Sequence, residues 1–167
     1  MSAISAENDP NCPPYSSIYS YIGIAIALAF TAIGSGYGTA KSSIGLFKVC
    51  VEHPEQIYRG LMPIIMAGIV GIYGLVAAII ISPSLTYPYS LYNGFSNFAG
   101  GLCVGLAGLA SGCCIGVAGD VAVRAMSQHP ELLMGAMLIL IFGEVLGLYG
   151  FIVAIVLNGK SQGCVAQ

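Results

Sequence analysis

Residues 132–157 read LLMGAMLILIFGEVLGLYGFIVAIVL. Only Glu144 and Tyr149 in this run carry a polar side chain. About 20 apolar residues, at ~1.5 Å each, cross a hydrocarbon core. The run is therefore read as a membrane-spanning helix, and Glu144 stands at its midpoint. A charged residue at a helix centre costs about 2.5–3.5 kcal/mol on insertion scales. That cost makes Glu144 the first functional candidate. Its use as a protonated helix glue is a poor return, because interhelical hydrogen bonds average about 0.6 kcal/mol in some measurements.

The rest of the chain fits the same solvent. Of 167 residues, 57% are hydrophobic and 7% are charged. Soluble domains carry about 25% charged residues. With five Lys or Arg and seven Asp or Glu, a soluble fold could not cover itself. The expected fold is an all-α integral membrane protein of four helices, over 17–51, 55–81, 95–127 and 131–158. Ser82, Pro83 and Ser84 end the second helix, and the loop is expected to run over 83–94 to Asn93 and Gly94. Residues 1–16 and 159–167 are expected to be short tails. The first helix is not read as a cleaved signal, because residues 1–17 hold Glu7 and Asp9 and no Lys or Arg. No basic patch points to nucleic acid. The six cysteines are not expected to form a disulfide framework. Cys103, Cys113 and Cys114 lie in an apolar helical run, as small filler. No Cys and His pair has zinc spacing, and no cofactor or metal is expected.

A shift of 76 residues lays the two halves of the chain on each other. His53-Pro54-Glu55 meets His129-Pro130-Glu131, and Lys48 meets Arg124. Gly71, Tyr73 and Gly74 meet Gly147, Tyr149 and Gly150. Each half is thus a helical hairpin, 17–82 and 95–158, with the same turn. Proline suits the first turn of a helix, and the following acid suits its positive end. Lys41, Lys48, Arg59 and Arg124 gather at the two turns, while Lys160 alone marks the other side. The positive-inside rule then puts the turns in the cytosol, and both termini and the central loop in the lumen or exterior.

Gly101, Gly105, Gly108, Gly112, Gly116 and Gly119 lie on one face of the third helix. Their counterparts in the first helix are Ala25, Ala29, Ala32, Gly36, Ala40 and Ser43, all small. Small residues at this spacing let helices approach closely in a membrane. Two readings follow: tight contact of the first and third helices within one chain, or an inner circle of those helices from many copies. Crowding at small radius favours the ring, with the bulkier second and fourth helices outside.

Burial in lipid disfavours an ionised carboxylate, so Glu144 is suited to carry a proton and release it beside a fixed cation. The chain has no cation inside the membrane, so a partner must supply one. Sodium needs several oxygen ligands. The second helix offers only Tyr73 between Leu61 and Ile81, and the fourth adds only Tyr149. The ion is therefore read as a proton. Tyr73 is a possible hydrogen-bond partner of the carboxyl. Gly68 takes the place of the acid in the first half, so each chain carries one site per four helices.

Several stretches give a specific resemblance. They are Tyr37-Gly-Thr-Ala-Lys-Ser42, the run from Pro63 to Leu75, Gly116-Val-Ala-Gly-Asp120 with Arg124, Ile139-Leu-Ile-Phe142 and Glu144-Val-Leu-Gly-Leu-Tyr-Gly150. Together they resemble the proteolipid (c-type) family of eukaryotic vacuolar-type proton-pumping ATPases. The resemblance implies a homo-oligomeric or mixed c-ring in the vacuolar or endomembrane system. A cytosolic ATPase sector would turn it through a central stalk that includes a d-type subunit. Glu144 matches the family's proton-binding glutamate and Tyr73 a tyrosine near it. The a-type stator subunit would present the arginine and two half-channels. The chain itself would not hydrolyse ATP. Gly143 and Gly71 stand where alanine is usual, and are expected to loosen the second and fourth helices. His53 and His129 also depart from the usual residues. A c-prime-type paralogue of the same ring is the alternative within the family. Outside it stand a structural membrane protein, a tetraspan channel, which should show a polar stripe, and an ATP-synthase rotor, which the doubled hairpin with one acid disfavours.

Overall fold

The computed structural model describes residues 12–85 and 89–160. Its described residues are helical, without strands, and form two hairpins. Helix α1 runs Ser16–Glu52, followed by a 3-10 turn at Pro54–Gln56 and a single helical turn, α2, at Ile57–Gly60. Helix α3 runs Met62–Ile81, α4 runs Leu91–Gln128 and α5 runs Leu133–Asn158. Four segments are long and apolar enough to cross a membrane, with mean hydropathy from 1.7 to 2.7. Exposed apolar side chains on the outside, such as Leu138 and Phe142, fit a lipid solvent.

The ends of these helices follow from local chemistry. Proline disfavours helical backbone in the residue before it. His53 accordingly has φ −136° and ψ 80°, and His129 has φ −132° and ψ 91°. The duplicated turn is thus duplicated in backbone geometry. The second span is broken at Leu61, because Pro63 brings no N–H and its ring would clash with the carbonyl of Arg59. The third span begins at Leu91, earlier than Phe95. Ser90 caps it, accepting a 3.3 Å hydrogen bond from the Asn93 N–H. Asn93 and Gly94 therefore lie inside the helix and not in the loop.

The largest contact in the molecule is between α1 and α4. A Cβ at Gly34 would stand 2.7 Å from the Gly108 carbonyl oxygen, and one at Gly112 would fall on the backbone of Gly34. The two backbones touch, which only glycine permits there. The glycine face of α4 is buried, as expected of a packing stripe. Its partner on α1 is a different face from the one read in the sequence. That partner face includes Gly23, Ala27, Thr31, Gly34, Gly38 and Ser42. Ala25, Ala29, Ala32, Gly36 and Ala40 lie off that face. We expect Gly112→Val to push α1 and α4 apart, at a cost of about 1–3 kcal/mol or more. A clear drop in the thermal stability of the detergent-solubilised protein would show it. An unchanged midpoint would mean that the close approach contributes nothing.

Polar groups tie the two ends of the bundle. At the end holding the termini, Tyr89 is buried with its hydroxyl 2.8 Å from Ser20 Oγ and accepting from Asn97 Nδ2 at 2.7 Å. Asn158 Nδ2 donates to Asn97 Oδ1 at 3.1 Å and to Ser84 Oγ at 3.3 Å. One network thus joins all four spans. At the turn end, Arg124 donates to Asp120 through Nε at 2.9 Å and Nη2 at 2.7 Å, and Lys41 lies 3.8 Å away from the same carboxylate. Cys50, Cys103, Cys113 and Cys114 are free. Cys12 is disulfide-bonded. It precedes α1, outside the apolar helical run that holds Cys103, Cys113 and Cys114.

Candidate functional site

Helix α5 presents a narrow face to α4, made of Leu140, Gly143, Gly147, Gly150 and Ala154. The steps of three and four residues keep these on one side of the helix. Glu144 is one position, or ~100°, off that face. Its side chain therefore does not enter the α4 contact directly but turns into the space beside it. Both carboxyl oxygens are buried, and neither accepts a hydrogen bond of good geometry. Tyr73 on α3 is the phenol that interacts with this carboxyl. Its ring stacks on Phe151 at 5.7 Å with an interplanar angle of 23°. The site is thus a carboxyl enclosed between α3 and α5, facing one phenol.

The structure adds a residue that the sequence did not single out. Ser111 on α4 is fully buried and donates a 2.8 Å hydrogen bond to the Gly143 carbonyl oxygen. That carbonyl belongs to the residue just before Glu144. The second and fourth helices lack a hydroxyl other than their tyrosines, and this one reaches the site from the third. A signal existed: Ser35 and Ser111 stand 76 residues apart, one serine in each half. Ser111 alone still does not build a cation cage, because it adds one oxygen to those of Glu144 and Tyr73. A cation here would lack the several oxygen ligands that sodium requires.

The glycines at 71 and 143 do the reverse of loosening. A Cβ at Gly143 would stand 3.1 Å from Ile115 Cγ1, and one at Gly71 would stand 3.3 Å from Ser35 Oγ. Their absent side chains let α5 seat closely on α4, and α3 on α1. Gly68 differs from both. A Cβ there would meet nothing within 4 Å. The position that matches Glu144 in the first hairpin is therefore open as well as uncharged.

The fold and site define a class: a duplicated membrane hairpin with one buried carboxyl in its last span. The ATP synthase C-subunit family matches the chain twice, over residues 22–81 and 98–157, one match per hairpin. Among curated proteins, the chain is 50% identical over 148 residues to the 16 kDa proteolipid c-subunit of the V-type proton ATPase of Homo sapiens, covering 89% of this chain and 96% of that protein. It is 48% identical over 151 residues to the V-type proton ATPase c-subunit of Candida tropicalis, covering 90% and 94%. It is 48% identical over 157 residues to the V-type 16 kDa proteolipid c-subunit of Nephrops norvegicus, covering 93% and 99%. The chain belongs to the V-type proton ATPase 16 kDa proteolipid family.

Proposed function

We propose that this chain is a proton-carrying rotor subunit of a vacuolar-type ATPase, and that Glu144 is the carrier. One observation supports this above the others: both oxygens of Glu144 are buried in the middle of a membrane span, with the Tyr73 phenol as the one side-chain donor facing them. A single phenol does not compensate a negative charge taken from water, so the carboxyl crosses lipid as the neutral acid. It ionises only where a partner supplies a cation. Among the described residues, every Lys and Arg lies toward a span end, so that cation is assigned to an arginine of the a-type stator subunit. Tyr73 closes the pocket on the α3 side. The copies form a c-ring with α1 and α4 on the inner circle. The cytosolic ATPase sector turns the ring through the central stalk, where the d-type subunit makes the contact, and lumenal acidification follows.

The His-Pro-Glu turns face the cytosol and both termini face the lumen. Two features support this orientation. Lys41, Lys48, Arg59 and Arg124 are concentrated at the turn end. Cys12, at the other end, is disulfide-bonded, and disulfides persist in oxidising compartments. The membrane is one of the vacuolar or endomembrane system.

A hydrophobic carbodiimide tests the carrier directly, because it reacts with protonated carboxyls in apolar surroundings. We expect labelling of Glu144 to exceed that of Glu52 and Glu55 clearly, by peptide mass spectrometry on native membranes. Those two acids are exposed near the turn. Equal labelling of all three would remove Glu144 from its special position.

A further inference from the structure

The first hairpin has a groove between α1 and the start of its second span, at the turn end, and α4 fills it. Gly116 meets Gly38 and Lys41, and Gly119 meets Ser42 and Pro63. Val123 is the knob. It closes a buried cluster with Leu46, Val49 and Met126, and its Cγ1 lies 3.4 Å from where a Cβ at Gly60 would stand. The second hairpin has a matching apolar groove of about 790 Å³ between α4 and α5. Its walls include Cys114, Ala118, Ala122, Ala125, Ala136 and Ile139. These residues stand 76 positions after Gly38, Ser42, Leu46, Val49, Gly60 and Pro63, which hold α4 in the first groove. No described element of the chain covers the second groove.

Shifting the α4 knobs back by the same 76 residues gives Ala40, Ser43 and Phe47 on α1. That face of α1 points away from its own chain. Phe47 is 71% exposed, and a Cβ at Gly36 would meet nothing within 4 Å. We propose that α1 of a second copy fills the groove, with its Phe47 as the knob among Ala122, Ala125 and Ala136. The inference rests on the ring reading above and assigns its copy-to-copy register.

Size and charge both support the match. Leu46 and Val49 of the first groove become Ala122 and Ala125, so the second groove is wider. Val123 becomes Phe47, so the second knob is larger. A close-packed seam requires those two changes together. The ion pair Lys41–Asp120 of the seam within the chain maps onto Val117 and Ile44 between copies, and both are exposed in the single chain. One seam is therefore charged and the other apolar. A hairpin docked in the wrong seam would part Lys41 from Asp120, which would keep only its Arg124 partner. The two seams are therefore not equivalent, and this favours hairpins that alternate around the ring.

The test is disulfide crosslinking in assembled rings in native membranes. Phe47→Cys combined with Ala136→Cys should give a ladder of multimers on a non-reducing gel after mild oxidation. Each single variant, which keeps the native cysteines, should give none. In parallel, Ala122→Leu with Ala125→Val narrows the groove, and ring recovery should fall about tenfold. Adding Phe47→Val, which copies the knob of the first seam, should restore it. Closed rings seen by low-resolution imaging without the ladder, and with unchanged recovery of the narrowed groove, would overturn the inference and leave the ring standing. A lipid chain in the groove gives that outcome. Absence of any closed ring from the unsubstituted protein would overturn the ring reading, and the inference with it.

Discussion

Replacing Glu144 with glutamine stops proton transport and leaves the protein folded and assembled. The two halves of this expectation have separate causes. The carboxyl oxygens accept no hydrogen bond of good geometry, so the substitution breaks none. Glutamine has nearly the shape of the protonated acid, so the contacts around Gly143 and Gly147 are kept. Its amide adds a second N–H in a pocket with one phenol nearby, a penalty of about 1–3 kcal/mol at most. Transport fares differently, because an amide cannot release and regain a proton in the working range. The loss is complete and not graded. Vesicles carrying the variant should show no ATP-driven acidification by a pH-sensitive dye, at a normal yield of assembled complex. Normal acidification would sink the carrier assignment. A loss of both acidification and assembly would make Glu144 a packing residue.

Much of this arrangement was legible in the sequence, because lipid narrows the choices. Every backbone group in a span must be bonded internally, so long apolar runs have to be helices. The 76-residue repeat then points to two equal hairpins, and the sole acid in the run 132–157 makes Glu144 the candidate site. What escaped the sequence depends on direction. The glycines of α4 and the alanines of α1 correspond by the repeat and make two small-residue stripes, open to contact within one chain or between copies. In a repeat, however, matching residues look in matching directions and not at each other. The α4 stripe looks back at the first hairpin, and Ala25, Ala29 and Ala32 look back to where another copy would stand. Ser111 escaped for a related reason. Its hydroxyl works across helices, on the Gly143 carbonyl, and a one-helix reading of ligands does not reach it. The start of α4 escaped because Asn93 and Gly94 form a common turn pair, while the deciding residue is the cap at Ser90.

Gly68 leads to the second large effect. Gly68→Glu should place a second carrier in each chain and roughly halve the steepest pH gradient that the pump can hold. A Cβ at Gly68 meets nothing within 4 Å, so the new side chain has room in the single chain. The insertion cost is about 2.5–3.5 kcal/mol. Its span has a mean hydropathy of 2.7, against 2.4 for the span that already carries Glu144, so it can bear the same burden. The repeat also supplies the neighbour. Tyr73 faces Glu144 within the chain, and its counterpart Tyr149 is exposed, available to residue 68 of an adjoining copy. With two acids per chain, each turn of the ring moves twice the protons for the same ATP. The free energy available per proton is then halved, and each pH unit of gradient demands about 1.36 kcal/mol. Initial proton flux per ATP hydrolysed should double in vesicles, while the steady gradient falls. Gly68→Gln, which adds the bulk without the acid, should change neither. If the glutamate variant assembles and both quantities stay as before, the single carboxyl at mid-span in each chain is not what sets the gearing of this rotor.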